Sequence, residues 1–563
     1  MVVVDVEVDE LEDEDVDAVL AMRLLLPSEQ AAEKSATASA PATSWEVGSR
    51  LISATSVTDK RPKVHVMAAN GSGTVLLMTI TRADTELQNA LDVLLSDELE
   101  PIVEVVLRSP QPDRYEAMAN DGIVAFARTT EPGQEPEYAI ERVEGRNPLG
   151  DQSADRFAGI DDERAHLYPS RATNSYPFAF DTVAQLFDHA CAPDLCVVHS
   201  AAHNWEDQGG HRGEHGSLDV IQARAPFIVA GRGVDAQGMV DRGARLIDVA
   251  PTIAALLGET LAGADGRVLT DVLDDSTRPS HVVGFLFDGA NPNVLYDMAA
   301  RGDAPNVARL IDAGTAYRFG AMASLPTVTL ANHTAILTGR HPGHHGILHN
   351  AWYDRALGRQ VITNSPETWA DSMQWLRADA PTLHEVLGAD GALTVSCNEP
   401  CDRGAGWSTF DAMRAGTAGR AVLPETLPFA TERFVRPSKD YRWSSKVDHL
   451  GMEAAVAAWC GELGALPRFT WANFTLTDAA FHEGGPHSEI AHASVVDTDS
   501  RLGSVLDAVE ASGAWDDTAF VLVADHGMEE SNPAVRGDWG VALRDAGITF
   551  RDEAYGFLYL GDA

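Results

Sequence analysis

A chain of 563 residues exceeds what one hydrophobic core usually supports, and its 45% apolar content can fill one elaborated domain or two. A formal net charge of −42, with only five lysines, repels nucleic acid and anionic membrane surfaces. No apolar run reaches the ~20 residues of a bilayer span. The N-terminus lacks a signal-peptide pattern, and Cys191, Cys196, Cys397, Cys401 and Cys460 form no CxxC pair. The expectation is a cytoplasmic protein with reduced thiols, partnered by neither a nucleic-acid polymer nor a membrane.

Residues 1–55, acidic and then rich in Ser, Ala, Thr and Pro, predict a disordered tail; a mis-assigned start is the alternative for 1–47. Residues 56–258 form an N-terminal half. From about 60 to 143 it carries short β-rich runs (KVHVMAAN, TVLLMTIT, IVEVVLRS, GIVAFART, EYAIERV) and one helical stretch, 86–99. A polar segment, 144–175, precedes a helix near 180–190 and a strand at 195–202. A Gly/His-rich loop, GGHRGEHGSLD (209–219), then leads to a strand at 225–231 and a helix at 248–258.

Residues 259–280 read as a linker to a catalytic core, 281–563. There, continuous apolar strands alternate with amphipathic helices, which predicts an α/β fold with a mainly parallel sheet sandwiched by helices. Three strands end in candidate ligands: Asp288 closes HVVGFLFD (281–288), Asp478 and His482 lie in TLTDAAFHEGG (475–485), and Asp525 and His526 lie in VLVADHG (521–527). Open α/β sheets place ligand sites at the carboxyl ends of strands. Asp288 before Gly also reads as a simple turn, and an i, i+4 Asp/His pair as a surface pair. Two adjacent candidate ligands at a buried strand end are costly without a partner.

Thr329 sits where a loop enters the helix TLANHTAILTG, with helix N–H groups nearby; Thr327, Thr334 and Thr338 compete with it on spacing alone. LPTVTLANHTAILTGRHPGHHGILHNAWYD (325–354) resembles the nucleophile segment of the nucleotide pyrophosphatase/phosphodiesterase family of the alkaline phosphatase superfamily, with phosphonoacetate hydrolase a close relative. The resemblance is clear over about 281–355 and 470–530. It implies an alkaline-phosphatase-like fold, a nucleophilic Thr329, an Asn350 that binds a phosphate oxygen, and two divalent cations. One cation is implied at Asp288, Thr329, Asp525 and His526, the other at Asp478, His482 and a final His. Asp/His donors suit Zn²⁺, with Mn²⁺ or Fe as alternatives.

In the family the final His follows Asp-His-Gly, but FRDEAYGFLYLGDA (550–563) supplies none. GEHGSLDVIQARAPFIVAG (213–231) has the right form upstream, so the expectation is a circularly permuted order. The N-terminal half would then furnish the C-terminal part of the fold and His215, with His211 and His203 as substitutes. A separate N-terminal domain with a degenerate site is the competing reading. In RFVRPSKDYRWSSKVDH (433–449), Lys439, Arg442 and Lys446 are candidate substrate-binding cations, against the alternative of a solvated surface loop. The expected activity is metal-dependent hydrolysis of phosphodiester or pyrophosphate bonds in a small phosphate-containing substrate. The alternatives are a phosphomonoesterase or phosphonate hydrolase, and a non-catalytic binding protein on a degenerate scaffold.

Overall fold

The computed structural model describes residues 82–563 apart from 132–133, 205–209, 416–423, 425, 428–437 and 562–563. The expected tail at 1–55 and the runs KVHVMAAN and TVLLMTIT fall outside the described residues. Among the described residues no helix is long and apolar enough to cross a membrane. Four of the five cysteines are buried, Cys460 is exposed, and all five are free thiols.

Strands in chain order are β1 Val103–Gln111, β2 Arg114–Ala119, β3 Gly122–Thr129, β4 Glu137–Gly145, β5 Leu195–His199, β6 Phe227–Gly231, β7 Gly238–Val240 and β8 His281–Phe287. They continue as β9 Gly314–Tyr317, β10 Thr394–Cys397, β11 Trp407–Ser408, β12 Phe469–Phe474, β13 Thr518–Val523, β14 Phe550–Glu553 and β15 Phe557–Leu560. The large sheet runs β11-β10-β12-β8-β13-β6-β9-β7. Five of its seven neighbouring pairs are parallel; the two pairs made by β6 are antiparallel. β12 and β13 are buried along their whole length, as expected where helices cover both faces of a parallel sheet. This is the α/β architecture expected from the alternation. The strand order also puts β6, from the N-terminal half, in the same sheet as β8, β12 and β13.

Two helix groups cover this sheet. One comprises α2 Pro292–Arg301, α3 Pro305–Asp312, α5 Lys439–Trp459, α6 Leu476–Gly484 and α7 Glu489–Ala511. The other comprises α1 Val249–Leu256 and α4 Thr329–Thr338. A second, antiparallel sheet has the order β14-β15-β5-β1-β2-β3-β4. Residues of β1 divide between two cores: Val105 and Leu107 join the main one, whereas Val103 and Val106 pack with Leu91, Leu94, Trp539 and Leu543.

Two sequence expectations change. The part of 433–449 from Lys439 onward is not a solvated loop but the start of the 21-residue α5, capped by Ser438 and burying Tyr441, Ser444, Ser445 and Asp448. The segment 259–280 is packed rather than loose: Asp265 accepts from the His341 backbone N–H at 2.8 Å and pairs with His344 Nδ1 at 2.7 Å.

His344 also pairs through Nε2 with Asp188 at 2.8 Å. Burial alone would depress its pKa, but Asp188 and Asp265 outweigh burial and raise it to about 9. Since an unfolded histidine titrates near about 6.5, this bridge stabilises fully below that value and its contribution is lost as pH rises through the folded pKa. Thermal midpoints of wild type and His344→Gln should therefore converge between about pH 6.5 and about pH 9. Parallel pH profiles would contradict the bridge.

Candidate metal centre

The sheet gathers its polar residues at one end. Asp288 follows β8 and is buried, its N–H donating to Phe474 O at 2.9 Å. Asp478 and His482 lie one turn apart on α6, with His482 Nε2 3.3 Å from Asp478 Oδ1. Asp525 and His526 follow β13, both fully buried, with His526 Nε2 3.1 Å from Asp525 Oδ2 and 3.8 Å from Asp288 Oδ1. His215, contributed by the loop before β6, stacks on the His526 ring at 3.7 Å and brings Nε2 within 3.9 Å of Asp478 Oδ1.

Backbone packing fixes these positions. Gly289, at φ +63, donates its N–H to Asp525 Oδ1 at 3.0 Å, and a Cβ there would come 2.8 Å from Asp478 Oδ1. That one glycine lets the Asp288, Asp478 and Asp525 segments meet. Gly213 lies against α6, where a Cβ would meet Phe481 O at 2.4 Å, and Gly527 donates to Gln222 O at 2.7 Å. The His215 loop is thus clamped between α6 and the turn that carries His526.

The imidazoles share one orientation. His215 Nδ1 faces Thr327 O at 2.8 Å, His482 Nδ1 faces Gly213 O at 2.8 Å, and His526 Nδ1 faces Gly527 O at 2.9 Å. A carbonyl accepts only, so each Nδ1 carries the proton and each Nε2 is turned to the carboxylates, the arrangement that metal-ligating histidines use. Asp288 Oδ1, Asp478 Oδ1, Asp525 Oδ2 and His526 Nε2 are buried without a hydrogen-bond partner. Buried polar atoms left so are costly unless something else satisfies them. The triplets His215–Asp478–His482 and Asp288–Asp478–His526 each hold their donor atoms within 4.8 Å of one another, which fits divalent cations with nitrogen and oxygen donors.

Charge reinforces this reading. Burial, with repulsion from Asp525 and Asp478, pushes Asp288 up to about 8. Burial opposes ionisation of Asp525 too, yet His526 and His333 hold it well below the usual carboxylate range. Burial would depress His482 and His526, but Asp478 and Asp525 respectively lift each to about 9. His215 is driven well below its usual value by burial and by the neighbouring His526 and His482.

Thr329 opens α4 and is the one residue of that helix not fully buried. Its competitors are committed elsewhere: Thr327 Oγ1 donates to Ser217 O, Thr334 Oγ1 to Leu330 O and Thr338 Oγ1 to Thr334 O, all three being buried. Asn350 Oδ1 accepts the Leu330 N–H at 3.2 Å, which sets its side chain beside the helix start. His203 pairs with Gly537 O at 3.1 Å and packs on Trp539, away from the carboxylates. His211 adjoins His482, ring to ring at 4.5 Å.

One residue of the cluster escaped the sequence reading. His333, on α4, joins Asp288 and Asp525 in a fully buried triplet and pairs with Glu399. Its spacing of four from Thr329, one face of one helix, was the available signal.

Residues 282–560 match the family model described as type I phosphodiesterase / nucleotide pyrophosphatase. The matched segment is just under half of the chain and is similar to that family. Alkaline phosphatase PafA of Elizabethkingia meningoseptica is 36% identical over 91 residues, 16% of this chain and 17% of that protein. Ectonucleotide pyrophosphatase/phosphodiesterase family member 3 of Rattus norvegicus is 23% identical over 257 residues, 45% of this chain and 25% of its own. The solved phosphonoacetate hydrolase of Sinorhizobium meliloti 1021, in complex with phosphonoformate, is 21% identical with a TM-score of 0.30, over 44% of this chain and 57% of that one. The chain thus spans a quarter or less of the length of these two curated relatives.

The phosphodiesterase-family segment contains Asp288, Thr329, Asn350, Asp478, His482, Asp525 and His526; His215 lies upstream of it. Also within the segment, Lys439 is exposed and Arg442 and Lys446 are half-buried on α5. The helix begins at Ser438, which hydrogen-bonds Glu483, the neighbour of His482.

Gly289→Ala should strain the φ +63 backbone and press on Asp478, costing about 1–3 kcal/mol in urea unfolding. A wild-type midpoint would contradict the close approach.

Proposed function

We propose that the chain is a metal-dependent phosphoester hydrolase that cleaves phosphodiester or pyrophosphate bonds through Thr329. One observation carries the reading: the Nε2 atoms of His215, His482 and His526 and the oxygens of Asp288, Asp478 and Asp525 converge, with their buried atoms lacking other partners. Two divalent cations, one at Asp288, Asp525, His526 and Thr329 and the other at Asp478, His482 and His215, would acidify the hydroxyl and offset phosphate charge. Zinc suits these donors best, with Mn²⁺ or Fe²⁺ as alternatives.

Thr329 Oγ1, freed of its proton, attacks phosphorus as the bond to the leaving oxygen breaks and that oxygen takes up a proton. Water then cleaves the phosphothreonine ester, returning the hydroxyl and releasing the phosphorylated product. With its Oδ1 held by the Leu330 N–H, Asn350 presents Nδ2–H to a phosphate oxygen. Lys439, Arg442 and Lys446 are the proposed cations for the far end of the substrate.

The order is read as circularly permuted. What supports this is the position of β6 between β13 and β9, and of His215 beside Asp478, while the family match begins only at residue 282. A second reading, phosphomonoester hydrolysis, has the 36% identity to an alkaline phosphatase over 91 residues in its favour.

Thr329→Ala should lower turnover of a chromogenic phosphodiester at least about a thousandfold while keeping bound metal; wild-type turnover would refute the nucleophile. Chelation should abolish activity. Preference for the matching monoester would select the second reading. His215→Ala should lose one equivalent of metal together with activity, and unchanged metal content would refute the permuted order.

A further inference from the structure

His333 is 1% exposed and Glu399 fully buried. His333 Nδ1 lies 2.8 Å from Glu399 Oε2, whereas Nε2 lies 3.5 Å from Asp525 Oδ2 and 3.7 Å from Asp288 Oδ2. Nε2 has no hydrogen-bond partner. The Nε2 separations exceed a normal N–H···O bond of about 2.7–3.2 Å. They match two donors sharing one ion at about 2.0–2.2 Å, which tetrahedral to trigonal angles place about 3.3–3.8 Å apart. His526 Nε2 faces the same two carboxylates, at 3.1 Å from Asp525 Oδ2 and 3.8 Å from the other oxygen of Asp288, Oδ1.

We infer that His333 is a further ligand of the buried metal position, held in its ligating orientation by Glu399. The inference rests on the two-metal reading above and adds a donor to it. Glu399 plays the part that backbone carbonyls play for the other three histidines: it accepts the Nδ1 proton and leaves the Nε2 lone pair facing the ion. Thr329 and His333, four residues apart on α4, then address one ion from one helix face, so the nucleophile's helix is tied to the centre at two points. The buried position then has His333 in addition to Asp288, Asp525, His526 and Thr329, against three residues at the outer position.

The test is titration of metal-free full-length protein with Co²⁺, following visible d–d absorption and bound metal, in wild type, His333→Ala, Glu399→Gln and Asp525→Asn. His333→Ala should shift the absorption of one of two bound ions and weaken that site at least about 100-fold, and Glu399→Gln should keep both ions with one site weakened about 10–100-fold. Two ions bound by His333→Ala with wild-type affinity and absorption would overturn the inference alone, leaving His333 to orient carboxylates. If His333→Ala does not fold, wild-type affinity in the isosteric Glu399→Gln overturns it. No Co²⁺ uptake by wild type, or uptake indifferent to Asp525→Asn, would overturn the two-metal reading and this inference together.

Discussion

Asp288 lies within a few ångströms of both Asp478 and Asp525, and Asp288 and Asp525 are buried where little water reaches them. Like charges at that spacing in a medium of low dielectric repel strongly, and the strain is visible in Asp288, which burial and its two neighbours push to about 8. The fold leaves Asp288 Oδ1, Asp478 Oδ1 and Asp525 Oδ2 without hydrogen-bond partners. It surrounds them with imidazoles whose Nδ1 protons are already spent on oxygen acceptors, leaving nitrogen lone pairs and carboxylate oxygens aimed at common points. Such a cluster is stable only if positive charge enters it, whether as protons or as divalent cations.

Much of the surrounding architecture serves to keep those side chains together. Parallel pairing of β12, β8 and β13 brings the segments carrying the three aspartates to the same end of the sheet. Gly289 allows them to approach, and α6 sets Asp478 over His482. The N-terminal half closes the arrangement: β6 pairs antiparallel with β13, and Glu214 pairs with Glu529 in a short ladder just past His526. His215 enters the cluster because the residues on both sides of it are docked: His482 Nδ1 bonds Gly213 O across 269 residues, and Thr327 Oγ1 accepts the Gly216 N–H and donates to Ser217 O.

Asp288, Asp525 and His526 were legible in the sequence because each ends or follows an apolar run whose length and composition already announce a buried strand. Asp478 and His482 were legible from their i, i+4 spacing after another such run. His215 became a candidate through a ligand expected but missing downstream and through the Gly-Glu-His-Gly form of its own loop, with His211 left as a substitute. Spacing left four threonines open; the hydrogen bonds of Thr327, Thr334 and Thr338 commit those three elsewhere and favour Thr329 as the proposed nucleophile. His333 stayed hidden because its partner, Glu399, lies 66 residues away on a different element. The antiparallel sheet was illegible for the same reason: β15, near the C-terminus, pairs with β5 of the N-terminal half, and no local pattern encodes that pairing. The loop expected near Lys439 proved helical because its apolar face is set by burial against α6 and α7, which polar composition alone concealed.

Residues from both halves of the chain are proposed to hold a pair of ions. Anomalous X-ray diffraction at the metal edge, from crystals of metal-loaded protein, tests this most directly. Two peaks about 4 Å apart are expected, one ligated by Asp288, Asp525 and His526, the other by Asp478, His482 and His215. A single peak, or a second one out of ligand range of His215, would contradict the proposal.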